Sequence, residues 1–394
     1  MPFGYLVTVA VVAWCTVAAL APIRRPAPLG RLAFVSGLAI NEVTCVALYF
    51  LLASTLLAWF NGDLDTRAGL VVLGLAALTV AGLLALMVRQ LAAPRVVDDA
   101  LAAGLYRRRH GANPSEAIPG RSLRTHTLGR MLFPSRSRRA GVERIANIAY
   151  AGDGPGNMMD LYRSRGSTTV RPVLIHLHGG RFSSGRKNTE ALPLLYTLAA
   201  EGWLGISANY RLQPEVTLHE QLADVKKIIA WVRKHGTDYG ADPNSVFLAG
   251  ASAGATLAAL TALTATDTNQ RTGPTGVDTS VAGAICLNGY YGPSSIGGTP
   301  TSPAGADTAI GLVHSGAPAF FVAHGDNDSV LDVRGARDFS DALRRVSPNI
   351  VVYAELPGAQ HQFDLFRSLR AEAIARGVQE FAKSVLAGDA QVSP

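Results

Sequence analysis

The chain has 394 residues, more than a single hydrophobic core usually supports, so we expect two structural units. Hydrophobic residues make up 48% of it, which is high for a soluble protein but ordinary if they are concentrated in membrane spans. Its three cysteines, Cys15, Cys45 and Cys286, offer neither a disulfide framework nor a zinc-binding spacing. The composition therefore argues against disulfide-rich and zinc-finger proteins, and we predict no metal site.

The net charge of +7 is concentrated in residues 89–144, which carry twelve arginines and four acidic residues. Such a segment can bind nucleic acid, but aromatic residues are not interleaved with these arginines and no nucleic-acid module accompanies them. Because the segment directly follows apolar stretches, anionic lipid headgroups are the simpler partner. We predict membrane lipids as partners and no nucleic acid.

Two nearly continuous apolar stretches, residues 3–22 and 68–88, have about the 20 residues that a helix needs to cross a bilayer. Both predict transmembrane helices. A signal peptide is the alternative interpretation of the first stretch, but this stretch lacks a cationic start and a small-residue cleavage site. A third apolar stretch, residues 32–60, is longer than necessary and is interrupted by Asn41 and Glu42.

Two interpretations of Glu42 are open. A charged residue within a span is costly and by default invites a functional role. Alternatively, the span comprises residues 43–60 and residues 32–42 lie at the membrane interface, which we prefer because 18 uncharged residues suffice to span. Residues 1–88 are thus predicted to form an all-α membrane domain with three transmembrane helices, 3–22, 43–60 and 68–88.

The charges that follow each span predict the orientation. Arginines follow the first and third spans, whereas acidic residues predominate after the second. The positive-inside rule then places the N-terminus outside and the chain after residue 88 in the cytoplasm of a prokaryotic cell. In the connector, residues 89–144, we predict a helix over 96–110 that either rests on the membrane or is an ordinary linker. Residues 111–139 are interpreted as a loop that contributes to an active-site lid.

From residue 145 to 394 the pattern changes to strands that alternate with helices, which is typical of a mostly parallel sheet. The predicted strands are 170–177, 204–209, 245–250, 281–287, 319–324 and 350–355. The predicted helices are 218–234, 252–263, 333–346 and 371–386. The fold class is therefore α/β after the membrane domain.

The run Gly250-Ala251-Ser252-Ala253-Gly254 lies between a predicted strand and an apolar helix. This is the context in which G-x-S-x-G forms a nucleophile elbow, and it makes Ser252 the candidate nucleophile. Upstream, His178-Gly179-Gly180 ends another strand. The backbone N–H groups of Gly179, Gly180 and Ala253 are predicted to form an oxyanion hole, with His178 bracing the loop.

The acid and the base are expected after the serine. Asp328 follows the predicted strand 319–324, and Asp326 is its rival as the acid. His361 is the candidate base because no other histidine follows Asp328. In the resulting triad, His361 takes the proton of Ser252 and Asp328 holds the imidazole.

These motifs together resemble the hormone-sensitive-lipase-like esterases and carboxylesterases of the α/β-hydrolase superfamily. The run Asn209-Tyr210-Arg211-Leu212-Gln213-Pro214-Glu215 and the run His324-Gly325-Asp326-Asn327-Asp328 also match that family's layout. The resemblance covers roughly residues 145–390 and implies the α/β-hydrolase fold and ester hydrolysis through an acyl-enzyme, without a cofactor. The sequence departs from the family in Arg181, where a third glycine is typical, and in Ala251 of the elbow.

The predicted function is a membrane-anchored carboxylesterase or lipase for lipophilic esters. The same triad serves an amidase of the arylformamidase kind, or an acyltransferase, and these alternatives stay open. From a different class, a non-catalytic membrane scaffold is disfavoured because Ser252, Asp328 and His361 are all present.

Overall fold

The computed structural model describes residues 3–110 and 139–390, except for 140, 153, 167–169, 266–273, 275 and 293–307. Residues 111–138, which hold nearly all of the predicted lid, lie outside the described residues. The described chain forms an N-terminal helical domain and a mixed α/β domain that pack against each other.

Four helices form the N-terminal domain: α1 (Phe3–Leu20), α2 (Ala27–Glu42), α3 (Thr44–Phe60) and α4 (Arg67–Leu91). Their mutual contacts are mainly apolar, with Val9, Leu51 and Leu83 fully buried between α1, α3 and α4. Tyr5 and Thr55 join α1 to α3 by a hydrogen bond of 3.0 Å between their hydroxyl groups. The outer faces are also apolar, as Val71 and Leu78, both more than 70% exposed, illustrate. A large exposed apolar surface of this kind marks contact with a membrane or with another protein.

By length and composition, two helical segments of the described chain could cross a membrane: Phe3–Leu20 and the run Arg67–Arg108. A third is obtained if Pro28–Glu42 and Thr44–Phe60 are taken as one broken span, but these two helices are bent by 91° at Val43. The stretch 32–60 is therefore two helices in different directions. Its break follows Glu42 directly, where the sequence pattern placed the start of the second span.

One eight-stranded sheet forms the centre of the second domain, in the order β1-β2-β4-β3-β5-β6-β7-β8. Its strands are β1 (Val142–Ala149), β2 (Met158–Ser164), β3 (Arg171–Leu177), β4 (Leu204–Ala208), β5 (Ala241–Ala251), β6 (Gly283–Leu287), β7 (Ala319–Gly325) and β8 (Val351–Leu356). Strands β3 to β8 pair in parallel, and β1 and β2 add an antiparallel edge. The six parallel strands coincide with those predicted, because strands buried on both faces are continuous apolar runs.

Helices cover both faces of the sheet. They are α5 (Ala93–His110), α6 (Leu192–Ala200), α7 (Leu218–His235), α8 (Ala253–Leu263), α9 (Val333–Val346) and α10 (Leu369–Ala390). Helix α7 begins with a capping box, in which the Thr217 hydroxyl accepts the N–H of Glu220 and the Glu220 carboxylate accepts the N–H of Thr217. Helix α5 buries Val97 and Leu101 in the same core as Phe321 and Phe381. Its apolar face is thus covered by the α/β domain, which favours the linker-helix interpretation over a helix resting on the membrane.

Candidate active site

Ser252 lies in a sharp turn between strand β5 and helix α8, with φ of 53° and ψ of −119°. These angles are costly for a residue other than glycine and are found where a functional side chain must be presented on a tight turn. The flanking glycines make the turn possible. A side chain on Gly250 would overlap the backbone of Gly254, and one on Gly254 would overlap the carbonyl of Leu177. The elbow therefore requires glycine at both positions, because neighbouring backbone leaves no room for a side chain at either one.

The parallel register brings the other predicted residues to the same edge of the sheet. Leu177, Gly250 and Cys286 are aligned across β3, β5 and β6, and Leu287 and Ala323 continue the alignment across β6 and β7. The loops that follow β3, β5, β7 and β8 consequently lie side by side. They carry His178 to Gly180, Ser252, Asp328 and His361 in turn. The carboxyl edge of a parallel sheet is the usual place of an active site.

Asp328 and His361 form a buried pair in which His361 Nδ1 donates to Asp328 Oδ2 over 2.7 Å. His324 Nε2 lies 3.1 Å from the same oxygen, and the N–H groups of Val330 and Leu331 each donate to Asp328 Oδ1 over 2.8 Å. These four contacts are shared equally between the two carboxylate oxygens. His324 thus helps to hold the Asp328 carboxylate in place.

The two pKa values are shifted in opposite directions. Burial alone would raise the pKa of Asp328, but the charge and hydrogen bond of His361, with that of His324, hold it well below its ordinary value. Burial alone would lower the pKa of His361, but the Asp328 carboxylate outweighs burial and raises it. An ionised Asp328 accepts the Nδ1 proton, so neutral His361 has its lone pair on Nε2, which is the form a general base requires.

Asp326, the rival acid, has a different partner. Its Oδ1 accepts the N–H of Gly358 over 2.6 Å, which joins the loop after β7 to the loop after β8. Asn327 and Ser329 add two further bonds between the same loops, to Ala359 O and to Gln360 Oε1. The structure thus places Asp328 on the histidine and uses Asp326 to fasten the two loops.

Gly179 lies against the nucleophile, since a Cβ on it would stand 3.2 Å from Ser252 Cβ. Its N–H, however, donates to Glu190 Oε2 over 2.6 Å. This N–H already has an acceptor, which corrects the expectation that Gly179 is an oxyanion donor. Gly180 has φ of 118°, and any side chain on it would overlap Ser184. Ala253 begins helix α8, where N–H groups lack intrahelical acceptors.

His178 braces the oxyanion loop, the name used for residues 178–180 after strand β3. Its ring stacks on that of Tyr210 with centroids 4.4 Å apart, and its Nδ1 donates to Gly179 O over 2.7 Å. The Tyr210 hydroxyl donates to His178 O over 2.8 Å. Burial lowers the pKa of His178, which favours the neutral ring.

Two acidic residues near His361 were not found from the sequence. Glu190 bonds to the Gly179 N–H and accepts Gln362 Nε2 over 3.2 Å, so it connects the oxyanion loop to the loop of His361. Asp364 is buried, and burial together with the charge of Glu190 raises its pKa to about 7. Glu190 precedes an apolar helix and has no motif around it, and only the fold brings it to Ser252.

The chain is similar in sequence to several known proteins. A model of the BD-FAE family matches residues 159–304. The "Probable carboxylic ester hydrolase LipM" of Mycobacterium tuberculosis (strain ATCC 25618 / H37Rv) is 36% identical over 263 residues, which cover 61% of each chain. The "Esterase LipQ" of the same organism is 35% identical over 270 residues, 63% of this chain and 64% of that one.

Solved structures share the fold at lower identity. Esterase B from Lactobacillus rhamnosis (HN001) superposes with a TM-score of 0.55 at 20% identity, over 64% of this chain and 89% of the esterase. A truncated carbohydrate esterase from gut microbiota gives a TM-score of 0.54 at 19% identity, over 61% of this chain and 96% of the esterase. The chain has the α/β-hydrolase fold. Its sequence similarity to the BD-FAE model and to the mycobacterial esterases is consistent with the resemblance to hormone-sensitive-lipase-like esterases.

The similarity of this α/β-hydrolase to its relatives is partial. The matched regions span about three-fifths of the length of the two curated mycobacterial relatives. The matched solved structures likewise cover somewhat more than three-fifths of the chain. The hydrolase domain, with the elbow of Ser252 and the Asp328–His361 pair, is therefore the basis for a functional proposal.

Proposed function

We propose that this chain is a membrane-anchored carboxylic ester hydrolase that cleaves lipophilic esters with Ser252, Asp328 and His361 as its catalytic triad. The observation that carries the proposal is the buried Asp328–His361 hydrogen bond on the same sheet edge as a serine held in a strained elbow. The mycobacterial relatives, named as an ester hydrolase and an esterase, support the reaction class.

The reaction follows from the roles of these groups. Ser252 Oγ attacks the carbonyl carbon of the ester while His361 Nε2 takes its proton. The tetrahedral intermediate carries a negative oxygen, for which the N–H groups of Gly180 and Ala253 are the proposed donors. When the carbon–oxygen bond to the alcohol breaks, the proton passes from Nε2 to the departing alkoxide. Water then attacks the acyl-enzyme by the same route, releasing the acid and restoring Ser252.

Membrane anchoring is supported by the helical domain. Helices α1, α3 and α4 are apolar on their outer faces, and the C-terminal ends of α1 and α4 reach the hydrolase domain through Leu20 and Arg89. If α3 crosses the bilayer, α2 runs along its surface, because the two helices are nearly perpendicular. This arrangement agrees with three spans and a surface helix beside the hydrolase domain. The positive-inside rule puts that domain in the cytoplasm.

A lipophilic substrate is supported by the position of α2. The ring of Phe34 lies 6.4 Å from the ring of His361, and Leu32 and Val35, on neighbouring positions of the same helix, are more than half exposed. One side of the catalytic histidine is therefore bordered by a helix with an apolar exposed surface. An ester dissolved in the bilayer would reach Ser252 along this helix.

Ser252→Ala tests the reaction. We expect turnover of p-nitrophenyl butyrate to fall on the order of 10⁶-fold, since the covalent intermediate can no longer form. Ser384→Ala is the matched control, because Ser384 is a serine on α10 whose hydroxyl bonds only to Glu380 O within its helix. An unchanged rate in Ser252→Ala would refute the mechanism. Parallel assays with an N-formyl aromatic amine distinguish an esterase from an amidase.

Membrane anchoring has its own test. We expect the protein to remain in the membrane pellet after extraction with alkaline carbonate, which releases peripheral proteins. Recovery in the supernatant would show that the apolar faces of α1, α3 and α4 are covered in some other way.

A further inference from the structure

The boundary between the helical domain and the hydrolase domain contains a buried polar group, the docking cluster, made of Asn41, Glu42 and Arg370. All three residues are 2% exposed or less. Arg370 Nη1 donates to Glu42 Oε1 over 2.7 Å and to Asn41 O over 3.0 Å. Glu42, whose charge was unexplained in an apolar stretch, therefore has a partner from the other domain.

The docking cluster also binds the start of the loop that carries His361. Arg370 Nη2 donates to Pro357 O over 2.8 Å, and Asn41 Nδ2 donates to Gly358 O over 3.0 Å. Pro357 and Gly358 directly follow strand β8 and precede His361 by three to four positions. Arg370 and Asn41 thus bind two successive carbonyl groups at the start of the His361 loop. Asn41 belongs to α2, and Glu42 of the same helix neutralises the charge of Arg370.

Further contacts from the helical domain reach the same pair of loops. Arg24 donates to the backbone oxygen of Asp328 over 3.3 Å, and the Asn327 side chain donates to Leu20 O over 3.5 Å. Arg89 packs so closely on Gly358 that a Cβ on this glycine would lie 2.7 Å from the Arg89 Cδ. The helical domain therefore contacts the acid loop and the base loop at separate points.

We infer that the docking cluster positions His361, so that the N-terminal helices belong to the catalytic apparatus as well as to the anchor. This inference rests on the proposed function for the role of His361, but its geometry is independent of any substrate. The physical reason is that a fully buried arginine cannot lose its carboxylate partner and stay desolvated. Without Glu42, Arg370 must turn toward water and release Pro357 O, and the loop of His361 loses a support. Asn41, Glu42 and Arg370 are positioning residues in this scheme.

The test uses the full chain in detergent micelles with a short, soluble ester, p-nitrophenyl butyrate, so that access from a membrane does not enter. For Asn41→Ala, Glu42→Gln and Arg370→Met we expect kcat to fall roughly tenfold to a hundredfold, as expected when a catalytic group is misplaced by about an ångström. We expect KM to change less than twofold, since none of the three residues is placed at the substrate. Arg370→Lys retains the charge but not the forked donor, and we expect an intermediate kcat.

Tyr5→Phe is the matched control. It also removes one hydrogen bond of the helical domain, to Thr55, but this bond lies inside the helical domain, between α1 and α3. We expect its kcat to equal that of the wild type. Rates are referred to the folded fraction, measured by size-exclusion chromatography and circular dichroism, so that misfolded protein is not counted as inactive enzyme.

Hydrogen–deuterium exchange of the segment 357–364 gives a readout that does not require activity. We expect faster exchange in the three variants and unchanged exchange in Tyr5→Phe. If the wild type hydrolyses the ester and the variants retain its kcat, the inference is overturned, whatever the exchange shows. If the wild type hydrolyses no ester, the proposed function fails, and the exchange alone decides whether the cluster positions the loop.

Discussion

The two halves of the active site are fastened in different ways. The oxyanion loop is held from within the hydrolase domain, by Glu190 on the Gly179 N–H and by Tyr210 on the His178 carbonyl. The acid and base loops are held to each other and also from outside, by the docking cluster and by Arg24. In the described part of the chain, the bonds named for the first half come from the α/β domain, whereas the second half also bonds to helices more than 300 positions earlier in the chain.

The positions of the two halves in the sheet account for this difference. Ser252 and the oxyanion loop follow β5 and β3, which are central strands whose packing involves only the hydrolase domain. His361 follows β8, the edge strand, and an edge leaves room for another domain to contribute. Variants in the oxyanion loop and variants in the acid and base loops should show separately what each half of the site contributes to activity.

The largest effect is expected for Asp328→Asn, on the acid and base side. Asparagine cannot stabilise the imidazolium of His361 and favours the wrong tautomer, so we expect kcat to fall on the order of 10⁴-fold. Asp326→Asn is the comparison, because an amide oxygen can still accept the Gly358 N–H, and we expect at most a tenfold loss. Steady-state kinetics with p-nitrophenyl butyrate measure both. Equal losses would contradict the assignment of Asp328 as the acid.

Next in size is Glu190→Ala, on the oxyanion side. It leaves the Gly179 N–H without its acceptor beside Ser252, at a cost of about 1–3 kcal/mol, or roughly tenfold to a hundredfold in kcat if the loop shifts. Glu190→Gln keeps an oxygen acceptor and should retain most of the activity. A loss of activity in Glu190→Gln as large as that in Glu190→Ala would show that the charge of Glu190 is required.

The pH dependence tests the pairing of His361 with Asp328. Only neutral His361 can act as the base, so kcat/KM should rise with pH and reach half its maximum above 6.5, the ordinary pKa of histidine, because Asp328 raises the pKa of His361. In Asp328→Asn the carboxylate is lost while burial, which lowers the pKa, persists. The midpoint of the pH dependence of the residual kcat/KM should then fall to lower pH. If the midpoint does not move, the rise of kcat/KM with pH reports the titration of a group other than His361.

Tyr210→Phe should have the smallest effect. It removes one buried hydrogen bond, to His178 O, and keeps the ring that stacks on His178. We expect a loss of about 1 kcal/mol in the free energy of unfolding and a change in kcat of less than about threefold. Urea denaturation and steady-state kinetics check the two values. A loss as large as that of the Glu190 variant would mean that the tyrosine hydroxyl acts on the chemistry.

What the sequence predicts well are features with a local signal. The elbow of Ser252 requires glycines at fixed offsets, and the six parallel strands are apolar runs of ordinary length. The edge strands β1 and β2 were not predicted, because β1 is irregular between Ile145 and Ile148 and is largely exposed. Helix α6 is short and almost wholly apolar, so periodicity could not distinguish it from a strand.

Contacts between distant segments had no such signal. Glu190 reaches the Gly179 N–H only because the loop after β3 folds back on itself. Glu42 was recognisable as an anomaly in an apolar stretch, but its partner Arg370 resembles any other arginine of an amphipathic helix. The sequence therefore shows that Glu42 lies in an unusual setting, and only the tertiary structure identifies Arg370 as its partner.

The separation between Glu42 and Arg370 also has a consequence for biosynthesis. The two residues are 328 positions apart, so at about 5–20 residues per second the ribosome completes Arg370 roughly 15–65 s after Glu42. During that interval Asn41 and Glu42 lack their partner, and the half of the candidate site that contains His361 does not yet exist. Helix α10 then joins helix α2, so the loop of His361 is supported by a contact that forms only after most of the α/β domain has been translated.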